Sequence, residues 1–155
     1  MTELATLLAA RRFGEFLLER ELGRGATGVV YLARQERLDR SVALKLMAPH
    51  CAHDLAWRER FAAGARAQAS LHHAALCPVL EVGEQDDTPY LVMPHLAGET
   101  LAEQVARWRE AGHLPDAREV ERLLCVFEDA AAGLARLHES GLVHGDVKPG
   151  NLLVT

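Results

Sequence analysis

The chain has 155 residues, of which 49% are hydrophobic and 25% are charged. This balance is typical of a folded globular protein and excludes a chain that is disordered over most of its length. The net charge is −5 and no Lys/Arg-rich run occurs, so the charge pattern gives no reason to expect binding to nucleic acid or to an anionic membrane.

The cysteines and the first residues indicate the cellular compartment. Cys51, Cys77 and Cys125 form no CxxC pair, which favours reduced thiols over disulfides. No hydrophobic run approaches the length of a transmembrane helix, and Glu3 stands where a signal peptide would be basic. We therefore predict a cytoplasmic protein with no membrane segment in this chain.

The N-terminal half carries the pattern of a small sheet. Runs rich in β-branched and aromatic residues predict five strands, at FLLEREL, VVYLAR, SVALKLM, Val79–Val82 and Tyr90–Met93. Between the third and fourth strands, residues 54–71 predict one helix, with an apolar set at Trp57, Phe61, Ala65 and Ala69. Residues 1–12 predict a separate short helix, with Leu4, Leu7 and Leu8 on one side.

The C-terminal half is helical in character. Thr100 and Glu103 have the spacing of a capping box, and Asp116 and Glu119 repeat that signal, so a helix is predicted after each pair. The second helix carries an apolar stripe that runs up to Gly141 and consists of Val120, Leu123, Leu124, Phe127, Ala131 and Leu134. The change from sheet to helices near residues 94–100 predicts a boundary between two lobes.

The first candidate site is the glycine pattern GxGxxG at Gly23, Gly25 and Gly28. Alone it is weak, because glycines at strand ends are usually turn residues. The residues that follow predict a strand, whereas a dinucleotide-binding fold would continue into a helix. A strand–glycine–strand hairpin can place backbone amides over the phosphates of a nucleotide, since no side chain blocks the approach.

Lysine is rare in this chain: only Lys45 and Lys148 are lysines among 17 basic residues. Lys45 ends the predicted strand VALK, one strand after the glycine hairpin. It could simply extend its ammonium group into solvent from the strand edge. A compact ammonium group on a flexible stem also suits the phosphates of a nucleotide, and the neighbouring glycines favour that interpretation.

Four segments together resemble the eukaryotic-like Ser/Thr protein kinases that also occur in bacteria. They are LGRGATGVVYLA, VALK, the hinge-like LVM–L stretch and HGDVKPGNLLV, in the order that the family uses. The resemblance implies an α+β, two-lobed fold with a five-stranded antiparallel N-lobe sheet and one helix, and an incomplete helical C-lobe. It implies an N-terminal extension over residues 1–14, an N-lobe over 15–96 and part of the C-lobe over 97–155.

The resemblance also implies roles in ATP binding. The backbone from Gly23 to Gly28 would cover the phosphates, and Lys45 would contact the α- and β-phosphates. Met93 would be the gatekeeper, and the Pro94 carbonyl and Leu96 amide would meet the edge of the adenine. The adenine ring would lie between the apolar side chains of Leu22, Val30, Ala43 and Leu153.

The string HGDVKPGN is similar to the catalytic loop of the family. By that likeness Asp146 would accept the proton of the substrate hydroxyl, Lys148 would steady the γ-phosphate and Asn151 would hold Mg²⁺. His144 would support the loop rather than take part in the chemistry. The resemblance thus implies ATP and Mg²⁺ as ligands and a protein Ser/Thr hydroxyl as the phosphate acceptor.

The sequence departs from the family pattern at three places. Gly64 occupies the helix position where the family has a glutamate that pairs with the strand lysine, and Glu59 lies five residues away on another face. Gly145 occupies the position of the arginine that, in the family, binds a phosphorylated activation loop. The chain ends at Thr155, before the segment that supplies the second metal ligand, so we expect the chain as given to transfer phosphate poorly.

Two other functions fit parts of this pattern. A pseudokinase or inactive kinase fragment would bind nucleotide or a partner without catalysis, as Gly64 and the chain end favour. A small-molecule phosphotransferase of the aminoglycoside-kinase type also carries HGD followed by asparagine five residues later, although Lys148 and the full glycine hairpin argue against it. The apolar stripe, left uncovered, also predicts self-association through the helical half.

Overall fold

The computed structural model describes residues 12–154. The chain divides into two compact units, the first comprising residues 1–70 and 77–95 and the second residues 71–76 and 96–155. In the described part, no helix is long and apolar enough to cross a membrane. The leucine-bearing helix predicted for residues 1–12 lies outside the described residues, apart from Arg12.

The first unit is built on a six-stranded antiparallel sheet with the order β1-β2-β3-β4-β6-β5. Its strands are β1 (Arg12–Phe13), β2 (Phe16–Gly25), β3 (Gly28–Gln35), β4 (Arg40–Met47), β5 (Glu81–Gln85) and β6 (Thr88–Pro94). The five predicted strands are all present. The predicted number is wrong by one, because Arg12 and Phe13 pair with Leu17 and Phe16 as a short edge strand.

The hairpin between β5 and β6 corrects the predicted bounds of both strands. The predicted strand Val79–Val82 begins later, at Glu81, and continues to Gln85. The turn is only two residues long, since Gln85 pairs directly with Thr88 and both Asp86 and Asp87 have positive φ angles. Such a turn matches the twist of the flanking strands, so the segment that was predicted as a long turn becomes strand.

The core of the first unit lies on one face of the sheet. It consists of Phe13, Phe16, Leu18, Val29, Tyr31, Ala33, Val42, Leu44, Leu46 and Val92, with Tyr90 packed against it. The rings of Phe13 and Phe16 meet the Tyr90 ring edge-on, with centroids 5.6 and 5.5 Å apart. Because these residues alternate along their strands, the side chains between them point to the opposite face of the sheet.

Two helices follow β4 where one was predicted: α1 (Pro49–Ala52) and α2 (Leu55–Ala69). His53 is the C-cap of the first, and Asp54 caps the second by accepting hydrogen bonds from the amides of Ala56 and Trp57. The predicted apolar set of α2 is only partly right. Ala65 is buried and Phe61 packs against Met47, Cys51 and Ala52, but Trp57 and Ala69 are exposed.

The second unit consists of α3 (Leu101–Glu110), α4 (Ala117–Glu139) and a two-stranded ladder of β7 (Glu99–Thr100) and β8 (Leu153–Val154). Both predicted capping boxes are confirmed, at Thr100 with Glu103 and at Asp116 with Glu119. The segment from Leu71 to Leu76 belongs to this unit. A Cβ atom at Gly133 of α4 would lie 3.3 Å from both Ala75 and Leu76, so the segment packs closely on the helix.

The predicted apolar stripe of α4 is largely uncovered. Val120, Leu124 and Phe127 are 42%, 59% and 47% exposed. The residues of this helix that are buried are Gly133 and Leu137, both in its C-terminal third.

Candidate active site

The glycine hairpin connects β2 and β3 through a tight turn. Gly25 pairs with Gly28, which leaves Ala26 and Thr27 at the tip, and the Ala48 amide donates a 2.9 Å hydrogen bond to the Thr27 carbonyl. A Cβ atom at Gly28 would lie 2.1 Å from the Leu46 carbonyl oxygen, so only glycine fits there. At Gly23 and Gly25 the same space is open, and the hairpin backbone is accessible.

Four of the predicted site residues lie on one face of the sheet. β4 pairs Lys45 with Val30 on one side and Leu91 on the other, and it pairs Ala43 with Met93. Residues that are directly opposite in an antiparallel sheet point to the same face, and residues two apart share it. Val30, Ala43, Lys45 and Met93 therefore share the face opposite the core, next to the glycine hairpin.

The other predicted adenine contacts lie at irregular positions or in the second unit. Leu22 lies at a shift in register between β2 and β3, where the pairing passes from Glu21 to Gly23. Pro94 is the last residue of β6. Leu96 and Leu153 belong to the second unit, and their exposed fractions are 42% and 36%.

The catalytic-loop candidates come together in the second unit. Asn151 Nδ2 donates to the Asp146 carbonyl oxygen at 2.7 Å and to Asp146 Oδ2 at 3.0 Å. Lys148 Nζ lies 2.8 Å from the same carboxylate oxygen. The turn that brings Asn151 back to Asp146 is a single 3₁₀ turn, Pro149–Asn151, which begins with a proline whose fixed φ favours it.

The charge state of Asp146 follows from these contacts. The hydrogen bond from Lys148, followed by the one from Asn151, holds the pKa of Asp146 below its usual value. The carboxylate is therefore ionised at neutral pH and carries two polar neighbours. Asn151 Nδ2 is engaged by Asp146, and the Oδ1 of Asn151 is an oxygen ligand of the kind that hard divalent cations prefer.

The residues before Asp146 shape the backbone of the loop. The Asp146 amide donates to Nδ1 of His144 at 3.3 Å, and the supporting role of His144 stays a prediction. Gly145 has a φ of 75°, a left-handed conformation that glycine adopts without the steric cost that other residues incur.

Sequence reasoning missed the ladder that fixes the end of this loop. Thr100 pairs with Leu153 and Glu99 with Val154, and the Leu101 amide donates a 2.8 Å hydrogen bond to the Leu152 carbonyl. Each strand has only two residues, too few for a pattern of alternation to be visible. The capping box at Thr100 was the available signal, since it fixed where the helix begins but not what pairs with the residue before it.

The departures from the family pattern have clear positions. Gly64 lies on α2, where a Cβ atom would have no neighbour within 4 Å, and Glu59 is exposed on the same helix. The structure thus brings together Val30, Ala43, Lys45 and Met93 in one unit, and Asp146, Lys148 and Asn151 in the other. That the two sets bind one nucleotide stays a prediction.

Comparisons with known proteins agree on a single family. Residues 16–155 match the family model of the protein kinase domain. The chain is 37% identical over 147 residues to the Ser/Thr-protein kinase PksC of Streptomyces coelicolor. This alignment covers 92% of this chain and 26% of PksC. It is 38% identical over 140 residues to PknL of Mycobacterium tuberculosis, covering 90% of this chain and 33% of PknL.

The fold points to the same family. The kinase domain of Mycobacterium tuberculosis PknI matches with a TM-score of 0.75 at 30% identity, covering 93% of this chain and 56% of that domain. The chain therefore spans only part of its relatives: about a quarter to a third of the curated proteins and just over half of the solved domain. The α+β, kinase-like fold predicted from the sequence is confirmed, and the chain belongs to the protein kinase family.

Proposed function

We propose that this chain binds ATP with Mg²⁺ and forms the nucleotide-binding and catalytic-loop part of a kinase that phosphorylates Ser/Thr hydroxyls of proteins. The observation that carries the proposal is the geometry at Asp146: an ionised carboxylate next to the ammonium of Lys148 and the amide of Asn151. Phosphoryl transfer needs such positioned charges more than it needs covalent catalysis.

The first unit would hold the nucleotide. The open backbone at Gly23 and Gly25 would approach the phosphates, and the ammonium of Lys45 would pair with the α- and β-phosphates. Val30 and Ala43 share the face of Lys45 and would contact the adenine, together with Leu22 and with Leu153 of the second unit. Met93, on the same face, would be the gatekeeper. The Pro94 carbonyl and the Leu96 amide would accept and donate the hydrogen bonds at the edge of the base.

The second unit would act on the acceptor. The hydroxyl oxygen of the protein substrate attacks the γ-phosphorus while the bond to the β,γ-bridging oxygen breaks and ADP leaves. Asp146 would accept the hydroxyl proton, and Lys148 would balance negative charge on the transferred group. A bound Mg²⁺ would neutralise charge on the phosphates, and Asn151 Oδ1 would be one of its ligands.

Nucleotide titration of the chain tests the binding part of the proposal. We expect ATP to bind more tightly with Mg²⁺ than without it. Replacement of Lys45 by methionine should weaken binding roughly ten- to a hundredfold, because it removes a charged contact to phosphate. The control is Arg109→Met, which removes an equal charge from an exposed position on α3. Equal loss in both variants, or no ATP binding by the parent chain, would contradict the proposal.

A phosphorylation assay tests the catalytic part and separates the alternatives. Transfer by the chain as given should be weak, since Gly64 replaces the glutamate that pairs with Lys45 in the family. We expect the labelled phosphate that is transferred from ATP to appear on serine or threonine of a generic basic protein and not on a panel of aminoglycosides. Asp146→Asn should abolish the signal while leaving ATP binding intact. Nucleotide binding without transfer to any acceptor would identify a pseudokinase or inactive fragment, and transfer to an aminoglycoside would identify a small-molecule phosphotransferase. The relatives compared above are named Ser/Thr-protein kinases, which favours the first outcome over the last.

The location and the partners of the protein are the last part of the proposal. We propose a cytoplasmic location and no nucleic-acid partner, in line with the net charge of −5. We also propose that the chain as given self-associates through the exposed stripe of α4, at Val120, Leu124 and Phe127. Phe127→Asp should then lower the mass measured by light scattering. A parent chain that is monomeric, compact and silent to a hydrophobic dye would contradict this expectation.

A further inference from the structure

Strand β2 is irregular just before the glycine hairpin. Glu21 of β2 pairs with Tyr31 of β3. The next pair joins Gly23 to Val30, so Leu22 is an extra residue on β2. Such a β-bulge places two successive residues opposite one and moves every later residue of its strand by one position. The bulge therefore decides which face of the sheet each residue of the hairpin occupies.

An ion pair bridges this bulge. Arg24 Nε donates to Glu21 Oε1 at 3.1 Å, and Arg24 Nη2 donates to Glu21 Oε2 at 2.6 Å. Residues three apart in a regular strand point to opposite faces, so this bidentate contact depends on the extra residue. The partners of the two residues on β3, Val29 and Tyr31, are both buried in the core. The ion pair thus lies on the core side of the hairpin, away from the face of Lys45.

The hairpin has a second way to pair, without the bulge. If Leu22 paired with Val30, Arg24 would lie opposite Gly28. Residues 25–27 would then form a three-residue turn, a length that β-hairpins commonly use. The two registers therefore differ in whether the extra residue lies in the strand or in the turn.

The two registers present different residues to the proposed nucleotide. In the observed register Gly23 lies opposite Val30, on the face of Lys45, and a Cβ atom at Gly23 would meet open space. In the other register Arg24 would occupy that face, because a shift of one residue turns each side chain over. Its side chain would then stand between the hairpin backbone and the phosphates. The bulged register is the one that leaves the backbone open to a nucleotide.

We propose that the ion pair of Glu21 and Arg24 is a register lock, which holds the bulge and thereby positions the glycine hairpin for phosphates. Both are positioning residues, since they act through the backbone of the hairpin. Their side chains are 36% and 53% exposed, so the pair adds little to the stability of the unit as a whole. It can still select the register, because in the other register the two side chains point to opposite faces and the whole contact is lost. This inference rests on the proposed binding of a nucleotide by the first unit.

Nuclear Overhauser contacts across the hairpin test the register in the absence of nucleotide. In the parent chain we expect contacts between the backbone protons of Gly23 and Val30. Arg24→Glu brings two carboxylates together and should replace these contacts with contacts between Leu22 and Val30. The swapped variant, Glu21→Arg with Arg24→Glu, restores an ion pair and should return the parent contacts. Retention of the parent contacts in Arg24→Glu alone would overturn the proposal.

Titration with ATP and with adenosine tests the consequence for binding. In Arg24→Glu we expect the affinity for ATP to fall roughly tenfold, because the introduced carboxylate can turn to the face of the phosphates. The affinity for adenosine, which carries no phosphate, should change by less than about twofold. The swapped variant should bind ATP within about twofold of the parent chain, since its carboxylate is held on the core side.

The matched control is Glu19→Arg with Arg24→Glu. It has the same net charge as the swapped variant, and Glu19 is exposed on the same strand, but Glu21 still repels the introduced carboxylate. We expect the control to bind ATP as weakly as Arg24→Glu alone. Equal ATP affinity of the control and the swapped variant, or equal losses for ATP and adenosine, would rule out the register lock. A parent chain that binds no ATP would contradict the proposed function, and the contacts across the hairpin would still decide the register.

Discussion

The two units place their candidate residues by different physical means. In the first, strand register and a shared core fix Val30, Ala43 and Lys45 on one face of a six-stranded sheet. In the second, Asp146, Lys148 and Asn151 are exposed and are held by hydrogen bonds and charge to one another. Burial therefore sets the geometry of one half of the proposed site, and local polar contacts set that of the other.

This contrast has a practical consequence for mutants. Removing buried volume from the sheet should disturb the first unit as a whole, because five of its six strands contribute side chains to the same core. Removing an exposed polar group from the catalytic loop should leave the second unit folded and change only the loop. The four predictions below test that difference.

The largest effect is expected for Leu44→Ala. Leu44 is fully buried at the centre of the sheet core, so its truncation should lower the free energy of unfolding by about 2–5 kcal/mol. Leu124→Ala is the matched change in the second unit. Leu124 is 59% exposed, and its truncation should change the free energy of unfolding by about 0.5 kcal/mol or less. Urea denaturation of both variants, at a dilution that keeps the chain monomeric, measures the difference, and similar losses would show that other residues of the chain cover the stripe of α4.

The sequence predicted the parts of this fold that repeat regularly. Five strands and two capped helices follow from alternation, β-branched residues and capping boxes, and the structure contains all of them. The two-residue strands did not follow, because Arg12 and Phe13 pair only by virtue of the chain reversal at Gly14. The bounds of β5 were wrong because the positive φ angles of Asp86 and Asp87 permit a tighter turn than the composition of that segment suggested.

The second prediction concerns the glycine hairpin. Gly28→Ala should lower the free energy of unfolding of the first unit by about 1–3 kcal/mol, because the added methyl group would overlap the Leu46 carbonyl oxygen. Gly23→Ala is the control, since its Cβ atom would meet open space. Thermal unfolding followed by circular dichroism compares the two. Equal stability of the variants would mean that the turn accommodates the added methyl group without a loss of stability.

The third prediction moves the comparison to the second unit. Gly145→Ala places a side chain at a φ of 75°, which should lower the free energy of unfolding by about 1–2 kcal/mol. Gly150→Ala, in the same loop, lies at a position without that conformation and should cost less. Chemical denaturation measures both variants. If Gly145→Ala is the milder change, the loop conformation is not fixed by its polar contacts.

The sequence predicted which residues form the candidate site better than it predicted how those residues are arranged. GxGxxG, VALK and HGDVKPGN each identified a segment, since their chemistry is local to a few residues. The sharing of one sheet face by Lys45 and Met93 could not be seen, because it depends on the register between β4 and β6. The motif HGDVKPGN also did not indicate that Asn151 would donate hydrogen bonds to both the backbone carbonyl oxygen and a carboxylate oxygen of Asp146.

The smallest effect is a change in proton affinity rather than in stability. The pKa of Asp146 should lie below that of an aspartate in an unfolded chain, chiefly because of Lys148 and then because of Asn151. A lowered pKa in the folded state means that the contribution of this carboxylate to stability is present above the unfolded pKa and is lost as the pH falls through the folded one. Titration of the Asp146 carboxyl carbon by NMR should give a higher midpoint in Lys148→Gln and a smaller rise in Asn151→Ala. If neither variant moved the midpoint, the contacts around Asp146 would not exist in solution, and the polar half of the contrast between the units would be wrong.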